Sequence, residues 1–364
     1  MEPVTHFLTG ACLGRSGANR LTAYATLTMV LAAEAPDIDV FWGLRGPVAG
    51  LEHHRGITHT FLGAPFMALL VTGAVWLWHR WRVRRANKQP RRDGRAGKNA
   101  SHAPPVRWGW IWVLALIADL SHILLDWTNN YGVRPFFPFN PRWYAGSIYF
   151  IFEPVLFGVL LLALVMPAIL GLADREIGVR KPAFHGRGWA IFALCFGLVL
   201  GCWRWAEHER ALHLLAEQNY QNEPVLKMTV SPYPVDPFRW FGVVETKDFY
   251  QTAELNTRTD RFTSQAPGNL YYKQPQTPAI LAAKRSYLGR VFLDWSQFPY
   301  VDVAGVYGML PSGAHSTVVR FRALSFAYNV LFLHGRSDNP LSGTVTIGPD
   351  GRVETMKMGN SVQN

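Results

Sequence analysis

His6, Asp37, Asp39, His54, His59, His122 and Asp126 lie at or beside the ends of strongly apolar segments. An ionisable side chain at a membrane-embedded position costs kilocalories, so a set of them marks a functional site. Imidazoles and carboxylates are also the side chains that hold divalent cations. His122 and Asp126 are four apart in one apolar run; on a helix both project from the same face, about a turn apart, where they can share an ion. Taken alone, the pair reads equally well as a hydrogen-bonded structural contact. Pro36-Asp37-Ile38-Asp39 adds two hard-oxygen donors just after an apolar helix. His53-His54-Arg55-Gly56-Ile57-Thr58-His59-Thr60 opens the next apolar segment with three imidazoles and a guanidinium, the latter suited to phosphate or carboxylate. Four chain segments bringing ligand types toward one boundary favour a metal site over a set of unrelated polar residues.

The expected ligands are His59, His122 and Asp126, then Asp39 and Asp37, with His6, His54 and Glu153 completing the set. His6 starts a helix that can fold back, although a lone histidine on an apolar helix also serves as a satisfied core residue. His54 either ligates or orients His59. Glu153 sits inside an apolar run, where a metal, Arg134 or Arg142 has to partner its carboxylate. Arg55 is either a phosphate clamp or a structural partner of Asp37. His53, the loop histidines His79, His102 and His185, and His208 and His213 read as surface residues. The chemistry such a set supports is hydrolysis by metal-activated water, with Asp37 as general base and Arg55 on the substrate. The ion is expected to be divalent, zinc first and manganese as the alternative, with one or more ions per chain.

The elements that must position these residues follow from hydrophobic patterning. The chain has 364 residues, nearly half of them hydrophobic, 14 tryptophans and a net charge of +11. Much of the positive excess falls in the run 79–107, between two apolar segments, which reads as a juxtamembrane basic loop rather than a nucleic-acid surface. Cys12, Cys195 and Cys202 fall within apolar segments and form neither a disulfide framework nor a zinc-thiolate site. The first residues lack the basic region and apolar core of a cleavable signal peptide, so the first apolar segment is expected to stay in the protein.

Segments 61–78, 109–127, 147–173 and 188–205 are long enough to span a bilayer, and 21–35 and 4–14 are shorter helical candidates. The expected fold is an α-helical transmembrane domain of four or five spans, some short, over 1–206, a helical stalk over 207–221, and a soluble β-rich domain over 222–364. The basic loops at 80–107 and 174–187 place those loops in the cytoplasm, and hence the site and the β-rich domain on the outer side of a bacterial cytoplasmic membrane. The strand-like stretches, LKMTVSPYP, RWFGVVET, FYQTAEL, STVVRFRALSFAYNVLFLHG and SGTVTIGPDGRVETM, mix β-branched and aromatic residues, with Gly348-Pro349-Asp350-Gly351 as a hairpin turn.

Thr5-His6, Pro36-Asp37-Ile38-Asp39, His54-Arg55-Gly56-Ile57-Thr58-His59-Thr60, Ser121-His122-Ile123-Leu124-Leu125-Asp126, then Tyr131-Gly132-Val133 and Pro138-Phe139, taken in this order, resemble the LexA-binding, inner-membrane-associated metal-dependent hydrolases of the YdjM type. The resemblance covers roughly residues 1–175. It departs at Thr60, where that family usually has serine, and at Glu153, where aspartate before proline is common; both exchanges keep the functional group. The family in turn looks like a membrane-embedded relative of the zinc-dependent phospholipase C and single-strand nuclease superfamily, whose helical sites use an HxxxD pair, and this implies phosphoester hydrolysis by analogy.

The resemblance and the residues together imply a membrane-bound metal-dependent hydrolase acting on a phosphoester or lipid-like substrate, with membrane lipid as partner and no nucleic acid. The competing reading is a non-catalytic protein whose metal staples short helices while the β-rich domain binds a protein partner. A transporter is disfavoured because the chain shows neither repeated halves nor paired broken helices.

Overall fold

The computed structural model describes residues 1–88, 104–176, 186–264, 268–307, 315–327, 341–359 and 361–363. Its helices are α1 (Pro3–Arg15), α2 (Ala25–Glu34), α3 (Pro47–His53), α4 (Ala64–Lys88), α5 (Trp108–Trp127), α6 (Pro154–Glu176), α7 (Arg187–Ala216), α8 (Pro278–Arg285) and α9 (Tyr287–Trp295). The chain divides into two compact units. One comprises Met1–Ile38, Arg55–Ala145 and Ile151–Cys202, the other Asp39–His54, Gly146–Phe150 and Trp203–Asn364.

The first unit is helical. Pro3 opens α1, and the Glu2 carboxylate caps it by accepting from the Thr5 amide at 3.0 Å. Gly10 and Gly14, one turn apart, let α1 lie against α2. A Cβ on Gly10 would sit 2.6 Å from the Met29 carbonyl oxygen, and one on Gly14 2.6 Å from the Thr26 Cα. Small residues at that spacing are how apolar helices approach closely without a water-driven collapse. Behind α2, the core joins Met29, Ala32, Val71, Val75, Ile111 and Ala118 of α2, α4 and α5.

Three described helices are long and apolar enough to cross a membrane, Trp108–Trp127, Pro154–Leu172 and Arg187–Ala216; a fourth is possible if Pro47–His59 and Ala64–Asn87 together make one broken span. The sequence-based expectation of four or five spans therefore comes down to three or four. Segments 4–14 and 21–35 form α1 and α2, of 13 and 10 residues, too short to span alone. The helix expected from 147 begins only at Pro154. Parts of both basic loops, with His102 and His185, lie outside the described residues.

The second unit carries two antiparallel sheets. In the first the strand order is β1 (Lys227–Pro232), β2 (Arg239–Glu245), β3 (Phe249–Asn256) and β4 (Arg261–Thr263), with β5 (Leu270–Tyr272) also on β3. The second runs β10 (Ser361–Gln363), β9 (Val353–Met358), β8 (Ser342–Ile347), β7 (Ser316–Ala323) and β6 (Pro299–Tyr307). The end of α7 packs Ala211 and Leu215 on Trp240, Val244, Phe249 and Leu255 of the first sheet.

The expected turn at Gly348 to Gly351 joins β8 to β9, with the Gly348 amide on the Arg352 carbonyl at 2.8 Å. β7 ends at Ala323, and the later part of the long apolar stretch, 328–335, lies outside the described residues. The helices α8 and α9 were not read from the sequence, although each carries a cap, Thr277 before Pro278 and Ser286 before Tyr287.

Residues 39–54, read from the sequence as part of the membrane domain, belong with the β-rich unit. There α3 packs on α9, β9 and β10. Tyr287 donates to the Glu52 carboxylate at 2.6 Å, the Val48 amide donates to Gln363 Oε1 at 3.0 Å, and Gln363 Nε2 donates to the Arg45 carbonyl at 3.1 Å.

Candidate metal centre

Asp37, His59, His122 and Asp126 each direct one donor atom into a common point, and these four atoms all lie within 4.8 Å of one another. Three local structures bring them there. Asp37 lies in the 3-10 segment Ala35–Arg45, which continues directly from α2. His59 ends the 3-10 turn Ile57–His59 just before α4. His122 and Asp126 share the last turns of α5, one face, four residues apart.

The spacings are those of a coordination shell. His59 Nε2 lies 3.4 Å from Asp37 Oδ1 and 3.5 Å from Asp126 Oδ2. His122 Nε2 lies 3.6 Å from the same Asp37 oxygen and 3.5 Å from the same Asp126 oxygen. The two Nε2 atoms are 3.0 Å apart. Tetrahedral zinc with nitrogen and oxygen ligands at about 2.0–2.1 Å has edges of about 3.3 Å between donors. The donor set and its edges thus fit a single divalent ion of that size.

The shell around the quartet fixes which atoms face inward. His122 Nδ1 donates to the Ala33 carbonyl oxygen at 2.7 Å, which sets the tautomer and leaves the Nε2 lone pair for a ligand bond. His59 Nδ1 is engaged by the Thr58 hydroxyl at 3.1 Å. Asp126 is divided between its two oxygens. Oδ1 accepts from Arg55 Nη2 at 2.8 Å and lies against the Met1 amino group, whereas Oδ2 is buried with no hydrogen-bond partner among the described residues. A buried carboxylate oxygen left in that state is costly unless a cation meets it.

Arg55 was expected either to clamp phosphate or to pair with Asp37. Its guanidinium instead binds Asp126 and the loop after α5: Nη1 donates to Asn129 Oδ1 at 3.1 Å, to the Gly132 carbonyl at 2.9 Å and to the Asp126 carbonyl at 3.3 Å. It also lies 4.7 Å over the Tyr131 ring. These contacts make Arg55 an orienting residue for Asp126.

His6 is buried and stacks on His122, with ring centroids 3.7 Å apart, and its Nε2 is 3.3 Å from Asp126 Oδ1, outside the quartet. Burial, then the neighbouring His122 imidazole, push the His6 pKa down to about 3. Asp39 and His54 pair in the second unit, Nδ1 to Oδ1 at 3.1 Å. Glu153 is fully buried just before α6.

Within the quartet the Asp37 side chain is 20% exposed and the others essentially sealed, so the open side of the site is at Asp37. Burial, the largest influence, raises the Asp37 carboxyl, but the His59 hydrogen bond and the two imidazoles outweigh it and hold the group below its ordinary value.

Asp119 was missed in the sequence, although an aspartate inside the run WVLALIADLSH is itself a signal. It lies three residues before His122 on the same face of α5, is fully buried, and neither carboxylate oxygen has a hydrogen-bond partner among the described residues. Asn129, which receives the Arg55 guanidinium and the Tyr131 amide, carried no sequence signal.

An uncharacterized protein, YfhP of Bacillus subtilis (strain 168), is similar at 24% identity over 165 residues, 43% of this chain and 43% of that protein. The chain thus spans less than half the length of that relative. No solved structure matches. A family model described as YdjM inner membrane protein matches residues 1–211, more than half the chain and all four donors of the quartet. The chain belongs to the YdjM inner membrane protein family.

Proposed function

We propose that the protein is a membrane-bound metal-dependent hydrolase in which Asp37, His59, His122 and Asp126 hold a divalent ion, zinc first and manganese as the alternative. The observation that carries this reading is the set of donor spacings, five of them between 3.0 and 3.6 Å, around an inward-facing Asp126 oxygen with no hydrogen-bond partner among the described residues. A divalent ion in such a shell supplies Lewis acidity and brings water toward ionisation near neutral pH. The residues supply the rest. His122 is held by Ala33 and Asp126 by Arg55, so neither has to reorganise when substrate arrives. Asp37, at the open side, would give Oδ1 to the ion and keep its second oxygen to accept a proton from attacking water. The reaction class favoured is hydrolysis of a phosphoester or lipid-like substrate, and the basic loops favour a site facing the outer side of the bacterial cytoplasmic membrane.

A second reading has one observation in its favour: four protein ligands are enough to close a structural zinc site, leaving the β-rich unit as the working part. Metal analysis of the detergent-purified full chain beside His59→Ala and Asp126→Ala, followed by assay on phosphodiesters and phospholipids, separates the two. About one ion per chain, lost in both folded variants, with turnover that disappears in parallel, is the expected result. Bound ion without turnover on any of these substrates supports the structural reading. Folded wild-type protein that stays metal-free after incubation with zinc and manganese sinks both.

A further inference from the structure

The segment between the two halves of the quartet has an unexplained face. Residues 39–54 are clamped on one side by Tyr287, Gln363 and the packing of α3 on α9, β9 and β10. On the other side a run of bulky apolar residues is uncovered. Val40 and Phe41 are each 64% exposed, Leu44 85% and Trp42 37%. The polar member of the run turns the opposite way, since Asp39 is 5% exposed and bonded to His54. Arg45 closes the run with its guanidinium 4.6 Å over the Trp42 ring.

We propose that Val40, Phe41, Trp42 and Leu44 insert into the lipid–water interface of the membrane crossed by the apolar helices, with Arg45 at the phosphates of anionic headgroups. Two observations select a bilayer as the occupant. The residue types are those of an interfacial anchor, large apolar side chains that include a tryptophan, followed by a cation that can snorkel to the headgroups. The chain is tethered beside the membrane: Phe41 is three residues from Ile38, the last residue of the helical unit's first segment, and three residues reach at most roughly 11 Å. The anchor stands without the hydrolase reading. Where that reading also holds, and resting on it, the insertion of Val40 to Leu44 keeps the chain just after Asp37 at the interface, so an amphiphile can be engaged without leaving the bilayer.

The test uses the full chain with Cys12, Cys195 and Cys202 replaced, reconstituted in vesicles of phosphatidylcholine and phosphatidylglycerol, and an environment-sensitive fluorophore attached through Leu44→Cys. A second label through Asp350→Cys, in the exposed β8–β9 turn, serves as the aqueous reference. The expected result is blue-shifted emission at position 44, quenched by brominated lipid and shielded from aqueous iodide, with the reverse at position 350. Omitting phosphatidylglycerol should weaken the shift if Arg45 meets anionic headgroups. Emission at position 44 matching that at 350 overturns the proposal. So does shielding from both quenchers, which would mean that a second copy or another protein covers the face. Phe41→Cys repeats the measurement should the label at 44 prevent folding. Metal content plays no part in the readout, so failure here and failure of the hydrolase reading are separable.

Discussion

His122 donates its Nδ1 proton to the Ala33 carbonyl oxygen at 2.7 Å, tying the ligand helix α5 to the end of α2. That single bond sets the imidazole tautomer and ring angle, and it leaves Nε2 as the nitrogen that meets Asp37, His59 and Asp126. His122→Gln keeps a polar side chain but loses the rigid pair of nitrogens. Zinc retention through dialysis against a chelator is expected to fall to background, while the far-ultraviolet circular dichroism stays that of wild type.

Arg55 holds Asp126, and through it would orient a donor of the quartet. Replacing Arg55 with methionine keeps the aliphatic bulk and removes the guanidinium donors on Asp126 Oδ1, Asn129 and Gly132, leaving the Met1 amino group on Oδ1. Loss of an orienting partner of this kind typically weakens metal affinity about 10–100-fold. Competition titrations with a zinc indicator should show that drop with stoichiometry unchanged. Unaltered affinity would remove Arg55 from the site and return it to the substrate.

Gly10 leaves no room for a side chain, since its Cβ would meet the Met29 carbonyl at 2.6 Å and the Ala33 Cβ at 2.9 Å. Gly10→Val has to push α1 off α2, and overpacking of this kind costs about 1–3 kcal/mol. A lowered Tm in detergent is expected. Because His6, on α1, stacks on His122, reduced metal retention should accompany it.

Asp119 is the opposite case, a buried carboxylate with no hydrogen-bond partner among the described residues. Exchange for leucine in the apolar interior of a helix is expected to raise stability, by up to roughly 3 kcal/mol. Bound metal should stay at the wild-type level, because Asp119 is not among the four converging donors. Loss of the ion in a folded Asp119→Leu protein would show that the site extends one turn deeper along α5.

Burial, and then the Glu52 carboxylate, push the Tyr287 phenol up to about 12 from its ordinary 10.0. A group whose folded pKa is raised contributes stability that is present below its unfolded value and lost as the pH climbs through the folded one. The second unit should therefore lose stability between about pH 10 and 12, and Tyr287→Phe should flatten that part of the profile. Proteolysis within residues 39–54 across that range provides the readout.

The quartet was legible because its members are unusual where they stand: a histidine and an aspartate four apart in an apolar run, and carboxylates and imidazoles at the ends of others. Spacing alone could not divide first contacts from supporting ones. His6 and Arg55 share residue types with ligands and clamps, and only the fold shows one stacked on His122 and the other turned onto Asp126. Strands with strict β-branched patterning and the Gly348 to Gly351 turn could be read directly. The helices α8 and α9 were hidden because eight or nine residues between strands give too few periods to register, although their caps were present. Least legible was the path of residues 39–54, since nothing local in Val48 or Leu51 says that their packing partners lie more than two hundred residues away.

That path bears on how the protein can be cut. A fragment ending near residue 206 looks self-sufficient from the family match and from hydropathy. It would nevertheless strip Val48, Leu51 and Glu52 of α9, β9, β10 and Tyr287, leaving a loop with its packing surface bare between two donors of the quartet. The chain is woven rather than joined end to end. A tag or fusion boundary at the seam the sequence suggests is therefore expected to cost stability in the second unit.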